Sequence, residues 1–342
     1  ALAAPATAAQ QRWALAGVEF YGSDRVNGEQ FAAKHAEDIR HMFNRWGSTA
    51  KSALAQAEGL RAKLERAAKD MGGFGWSSLE VVEVGRSEND VAQGLLLVDV
   101  IEKDAMAQRF PYREAPDKDV PDTSGLTDQW AGYEDTGRSA ALASGSDLKR
   151  TVCPAYYCPE GTGTPEMNAL ETRFVDLVPS NKQLLLHILR EDRDGLKRAR
   201  ALFLLTYLKD AGDVTALVSS GLTDPDTRVR EAAVTILNDI AIHREDVALP
   251  VKDVARMLDY PSPQDRQRAL ALLLSVSGDP DQASFILGQA ADQVLRLLRT
   301  KHPGVRDMAY TLLTLFSKEK HPAEDFEAWD KWLWRARQAQ IR

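Results

Sequence analysis

The chain lacks two features that would each point to a class of protein. Its 342 residues contain no run approaching the roughly eighteen apolar residues that a bilayer-spanning helix needs, so no membrane span is predicted. With 50 Asp+Glu against 43 Lys+Arg, the formal net charge is -7, and neither half of the chain carries a basic excess. Because nucleic-acid binding requires cationic side chains that neutralise phosphates, nucleic acid is not a predicted partner.

Cysteine is also scarce. The chain has 2 cysteines, Cys153 and Cys158, both within TVCPAYYCPEG. A structural zinc site takes four ligands, and the histidines lie elsewhere, whereas a thioredoxin-type motif has two residues between its cysteines rather than four. A disulfide that closes this Pro- and Gly-rich segment is therefore the favoured prediction, with two free thiols or a metal or redox centre as the alternatives.

The start of the chain and the cysteine pair together predict a compartment. Residues 1–11 begin ALAAPATAAQ, a composition that remains after a signal peptide is removed or that marks a cloning boundary, and we expect this tail to be disordered. Disulfides persist in oxidising compartments. The sequence thus predicts an exported protein, periplasmic or secreted.

Residues 12–108 predict a small α+β domain. Residues 13–21 indicate a strand, and from Gly28 apolar residues recur at helical spacing as far as Trp46. A second helix is expected over residues 50–68, followed by strands over residues 77–84 and 95–103. The predicted order is β-α-α-β-β.

This order, with three short motifs, resembles the POTRA (polypeptide-transport-associated) domain. The motifs are VEFYG at the end of the first strand, GGFGWSSLEVVEV after the second helix and LLVDVIEKDA in the last strand. The resemblance implies that an exposed sheet edge, Ser77–Val84 or Trp13–Tyr21, binds an extended peptide by strand addition. Both helices are longer than is usual in that family, only one copy is present and no β-barrel follows, so an insertase role is not implied. Another small α+β sandwich is the alternative.

Residues 109–165 lose all periodicity and are rich in Pro, Gly, Asp and Ser. Their aromatic residues argue against free disorder, because disordered segments contain few of them. We expect an extended strap that contains the disulfide loop and one short helix near Leu126–Tyr133, with its aromatics as packing anchors rather than a ligand box.

Residues 166–342 contain an internal repeat. LKRARALFL, VREAAVTIL, RQRALALLL and VRDMAYTLL begin at residues 196, 229, 266 and 305, each after a turn signal and each separated from the next by a shorter amphipathic segment. This pattern resembles HEAT repeats, which implies an all-α solenoid of stacked helix pairs. The resemblance extends to a partial unit over residues 167–190.

Two sets of residues in this half are candidates for partner binding. Arg198, Arg230, Arg266 and Arg306 recur near the start of each second helix, where they either pair with aspartates of adjacent turns or offer a row of donors to an acidic partner. Near the C-terminus, Phe326, Trp329 and Trp332 share one helical stripe, which either caps the exposed end of the solenoid or forms a docking face.

The sequence contains no recognisable catalytic constellation. GTGTPE lacks the strand and lysine of a phosphate-binding loop, and the carboxylates are evenly dispersed. We therefore predict no cofactor, no metal and no enzymatic activity. The predicted function is a protein-interaction scaffold of the bacterial cell envelope that binds envelope or outer-membrane proteins by the sheet edge and the concave face of the solenoid. The alternative is a HEAT-type enzyme or small-ligand binder similar to a bilin lyase.

Overall fold

The N-terminal part of the protein is built on a three-stranded sheet. The structure is a computed structural model that describes residues 12–144, 153–158, 164–244 and 246–340, so the predicted N-terminal tail lies outside the described residues. The strands run in the order β1-β3-β2, with β3 parallel to β1 and antiparallel to β2. Strands β1 and β2 are therefore the two edges. The strands are β1 (Trp13–Tyr21), β2 (Trp76–Arg86) and β3 (Ala92–Ile101).

Three helices cover one face of this sheet: α1 (Gly28–Lys34), α2 (Ala36–Trp46) and α3 (Lys51–Gly72). The prediction of a single helix between Gly28 and Trp46 was wrong. His35 leaves helical geometry, with φ -113° and ψ 19°, while its N–H still donates to Phe31 and its carbonyl still accepts from Ile39. The helix is thus bent at His35, whose ring packs against Phe31, and the predicted apolar face stays buried against the sheet.

Strand β3 is buried on both sides, which explains its continuous apolar sequence. Leu96, Val98 and Val100 belong to the core beneath the three helices. Because side chains alternate along a strand, Leu97 and Asp99 lie on the opposite face, and both are buried. That second face packs against the helical half of the protein.

The segment after the sheet begins with the short helix α4 (Met106–Arg109) and then crosses the helical half in an extended conformation. The N–H of Arg113 donates to Thr223, and Lys118 forms a parallel β-bridge with Asp192. The helix predicted near Leu126–Tyr133 is longer than expected, since α5 spans Leu126–Ser144. It continues because the residues after Tyr133 contain no proline and several alanines.

The C-terminal half stacks antiparallel helix pairs. The second helices of successive pairs, α8, α10, α12 and α14, pack against one another. The repeat alignment predicts that Ala199, Ala232 and Ala269 lie where paired helices approach closely, and all three are buried. The helices are α6 (Pro165–Leu177), α7 (Lys182–Glu191), α8 (Gly195–Leu205), α9 (Ala211–Gly221), α10 (Thr227–His243), α11 (Val251–Arg256), α12 (Pro263–Val276), α13 (Pro280–Leu298), α14 (Pro303–Ser317) and α15 (Phe326–Gln340).

The predicted stripe lies on α15, where Trp329 and Trp332 face inward whereas Phe326 is exposed. Trp329 and Trp332 are buried, and the indole N–H of Trp329 donates to the Pro322 carbonyl at 3.0 Å. Neither ring is available as a docking surface. Among residues 12–144, 153–158, 164–244 and 246–340, no helix is long and apolar enough to cross a membrane.

Cys153 and Cys158 form a disulfide, as predicted. The loop that they close is held on the solenoid by Tyr156, whose N–H donates to Thr206 and whose hydroxyl donates to Lys209. The guanidinium of Arg244 lies 4.5 Å from the centre of the Tyr156 ring. The disulfide excludes the alternatives of free thiols and a cysteine metal site.

We expect reduction of this disulfide to lower the free energy of unfolding by roughly 2 kcal/mol, because so short a loop removes little entropy from the unfolded chain. Urea unfolding with and without reductant measures the difference, and a Cys153→Ser/Cys158→Ser variant should match the reduced protein. Thiol titration of the denatured, unreduced protein should detect no free thiol. Two free thiols would contradict the assignment.

Candidate functional site

Three of the four predicted arginines are buried in ion pairs within the protein. Each donates through Nη1 to the carbonyl six residues earlier in the chain and pairs with a carboxylate of another unit. Arg198 pairs with Asp224 at 2.5 Å, Arg230 with Asp265 at 2.8 Å and Arg266 with Asp99 at 2.6 Å. The fourth, Arg306, is exposed and contacts its neighbour Asp307.

The rest of the chain covers this arginine row. Tyr112 stacks on Arg230 at 4.2 Å, and Tyr21 of β1 stacks on Arg266 at 4.1 Å. Arg113 of the strap forms an ion pair with Asp224 at 2.6 Å. The guanidinium groups of Arg198, Arg230 and Arg266 therefore do not form a surface row of donors for an acidic partner, because strap and sheet already occupy it.

The sheet packs on the solenoid through an arginine–aspartate pair of the same kind that links successive repeats. Arg198 and Arg230 each bind an aspartate of the following repeat, whereas Arg266 binds Asp99 of strand β3. The Glu19 carboxylate of β1 accepts the N–H of Lys301 at 2.8 Å, beyond Arg266. Sequence reasoning missed Asp99 as a docking residue, although an acid inside a buried apolar strand requires a partner.

A groove of about 1040 Å³ lies between β2, the strap and the beginnings of α10 and α12. Residues 78–81 of β2 form one wall. The aromatic rings of Trp46, Trp76 and Phe110 line it, as do charged side chains of both signs. The sequence could not predict this groove, because its walls come from segments distant along the chain.

The edge of β2 is partly covered by α3. The N–H of Leu79 donates to Glu65 at 3.2 Å, and its carbonyl accepts from Arg61 at 2.9 Å. The N–H and C=O groups of Leu79 therefore point away from β3. Because these groups alternate in direction along a strand of an antiparallel ladder, the N–H and C=O of Val81 also point outward, whereas those of Val82 point toward β3. The outward edge that faces the groove is therefore at Val81.

The edge of β1 is less accessible. The backbone of Gly28 approaches Val18 so closely that a Cβ atom on residue 28 would lie 2.1 Å from the Val18 carbonyl oxygen. Glu19 on the same strand is engaged by the solenoid. Of the two edges that the sequence left open, β2 is the more accessible one.

Glu80, which lines the groove, has a strongly shifted pKa. Burial, reinforced by the charge of Asp99, raises the pKa of Glu80 to about 7, although Arg266 and Arg268 oppose the shift. Its Oε2 atom is buried without a hydrogen-bond partner, as is Nη1 of Arg268. Because the pKa is higher in the folded protein than in the unfolded chain, Glu80 lowers stability as the pH rises from its ordinary pKa to about 7.

Part of the chain matches a known protein family. Residues 183–275 match a family model described as HEAT repeats. No curated protein and no solved structure matches the chain. The POTRA resemblance of the N-terminal domain stays a prediction. In the described residues, no group of three or more His, Cys, Asp or Glu side chains is arranged to hold a metal ion. The family match and the stacked helix pairs together support a HEAT-repeat solenoid in the C-terminal half of this chain.

Proposed function

We propose that this protein binds other proteins without catalysing a reaction, by capturing an extended segment along the edge of β2. The observation that carries the proposal is the groove of about 1040 Å³ that opens beside that edge. Strand addition uses main-chain hydrogen bonds for affinity and side-chain pockets for selectivity, and a groove beside a free edge offers both. HEAT repeats, which generally mediate protein–protein interaction, form the opposite wall.

The contacts within the protein favour this groove over the surfaces that the sequence suggested. Arg198, Arg230 and Arg266 are covered by the strap and the sheet, and Trp329 and Trp332 are buried in the solenoid end. The β2 edge at Val81, by contrast, faces open space. The strap also braces the sheet against the repeats, which keeps both walls of the groove in place before a partner arrives.

We further propose that the protein acts as a scaffold in the bacterial cell envelope and that its partners are envelope proteins. The disulfide supports this placement, because such bonds persist in oxidising compartments such as the periplasm.

Site-specific photo-crosslinking in the native cells tests the function. A photoreactive amino acid at Gln264 or Glu114, both exposed at the groove, should give adducts of defined mass with an envelope protein. Val81→Pro should abolish these adducts, because proline removes the outward main-chain donor. The same amino acid at Leu142, which is 82% exposed on α5, should give no such adduct.

Three results would count against the proposal. Adducts could form equally from Leu142, they could persist in a folded Val81→Pro protein, or the purified protein could turn over a small substrate. Far-UV circular dichroism and a melting curve establish that Val81→Pro is folded. Val82→Pro is unsuitable as a control, because its N–H belongs to the ladder with β3.

A further inference from the structure

We propose that the groove selects an extended partner segment that carries a lysine or arginine, and that this cationic side chain pairs with Glu80. The inference rests on the proposed function and names the chemistry of the partner. It follows from the direction of the side chains on β2, the charges around Glu80 and the pairing of the other charges in the groove.

Side chains alternate along β2, so Glu80 shares a face with Ser78. Ser78 donates to the Pro261 carbonyl, at the turn that leads into α12, so this face looks toward the solenoid. A strand added at Val81 would run beside Glu80, and every second side chain of that strand would point to the same face. One position of the partner is thereby placed against the Glu80 carboxylate.

The charges around Glu80 leave one carboxylate in excess. Glu80, Asp99, Glu231 and Asp265 carry negative charge, against Arg230, Arg266 and Arg268. Three of these carboxylates pair with the three arginines, and the one left over is Glu80. A cation supplied by the partner would complete the pairing, whereas an anion would increase the excess.

The remaining arginines of the groove are also engaged. Arg61 pairs with Glu58 at 2.7 Å, and Arg113 pairs with Asp224 at 2.6 Å. No arginine that lines the groove is thus left without a carboxylate within the part of the chain that the structure describes. An acidic partner segment would add a second carboxylate to an arginine that is already paired, even at Nη1 of Arg268, which is buried without a hydrogen-bond partner. A basic segment would instead meet the carboxylate of Glu80.

The pairing predicts a dependence on pH. The charged groups that act on Glu80 are Asp99 of β3 together with Arg266 and Arg268 of α12, and burial raises the pKa of Glu80 to about 7. A bound cation favours the ionised carboxylate, so binding releases a proton. We expect the affinity for a basic peptide to increase about tenfold between about pH 6 and about pH 8, as the ionised fraction of Glu80 rises.

Selection from random linear peptides displayed on phage tests the proposal on the full chain. Peptides selected by the unmodified protein should carry lysine or arginine at one fixed position within a strand-forming sequence. Selection against Glu80→Gln should yield strand-forming peptides without that basic residue. Glu114→Gln, which neutralises an exposed acid at the same groove, is the matched control and should retain the preference.

The variants separate failure of this inference from failure of the proposed function. Val81→Pro should bind none of the selected peptides. Gln264→Trp, which fills the groove from an exposed position of α12, should also bind none and decides the question if Val81→Pro does not fold. Calorimetry of one selected peptide at both pH values should show the tenfold change with the unmodified protein and none with Glu80→Gln.

Peptides that require the β2 edge but lack a basic residue would overturn the inference and leave the proposed function standing. A basic preference or a pH dependence that persists in Glu80→Gln would do the same. If no peptide is selected, or if the selected peptides bind Val81→Pro and Gln264→Trp normally, the proposed function fails and the inference fails with it.

Discussion

Replacing Arg266 with methionine is expected to lower the free energy of unfolding by about 3–5 kcal/mol, because it leaves the Asp99 carboxylate buried without its cation. Asp99 is 1% exposed in the central strand, and Arg266 is its partner at 2.6 Å. Arg266 also donates to the Tyr260 carbonyl and lies beneath the Tyr21 ring. Removal of this one side chain therefore disrupts two contacts between the sheet and the solenoid, those with Asp99 and Tyr21, and one hydrogen bond within the solenoid.

Arg306→Met is the matched control, since Arg306 has the equivalent place in the last repeat. Its guanidinium is exposed and contacts only the adjacent Asp307 among the ion pairs of the described residues, and such surface pairs contribute at most about 1 kcal/mol. Urea unfolding of the two variants measures the difference. If both variants lose the same unfolding free energy, the buried Arg266–Asp99 pair contributes no more than an exposed pair. That result would refute the role of Asp99 in docking the sheet.

Truncation of Trp329 to alanine should also cost about 3–5 kcal/mol, since it empties a large volume from the end of the solenoid. Trp329 is fully buried, packs edge-on against Tyr310, His321 and Trp332, and donates to the Pro322 carbonyl. Loss of the ring would expose the apolar face of the last repeat, which needs a cap to stay out of water.

Trp334→Ala, on the same helix, tests whether the effect is specific to the buried ring. Trp334 is 66% exposed, so its removal should change the unfolding free energy by no more than about 0.5 kcal/mol. Thermal and urea unfolding report both values. If the two substitutions cost the same, α15 does not cap the solenoid through Trp329.

Local patterns in the sequence were sufficient for much of the fold. The first strand begins and ends at the predicted residues, and the small-residue seam of the repeats, including Ala232, is buried where the spacing placed it. These features depend on periodicity within one helix or strand, which a single segment carries by itself. The cysteine pair was predictable for a similar reason, since only five positions separate Cys153 from Cys158.

Long-range contacts were not predictable in the same way. The repeat spacing identified Arg266 and suggested an aspartate of an adjacent turn as its partner, but the partner is Asp99, 167 residues away on the sheet. The bend at His35 likewise depends on packing that no local pattern encodes.

The sequence by itself determined the three strands, most of the helices, the repeat register, the disulfide and the candidate residues, because each depends on neighbours close along the chain. The tertiary structure alone decided that the arginine row is covered, that the edge of β2 is more accessible than that of β1, and that Glu80 lines an open groove without a salt bridge to any of the described residues. These properties depend on which distant segments meet. That is settled by burial of the second face of β3 and by the pairing of buried charges across it.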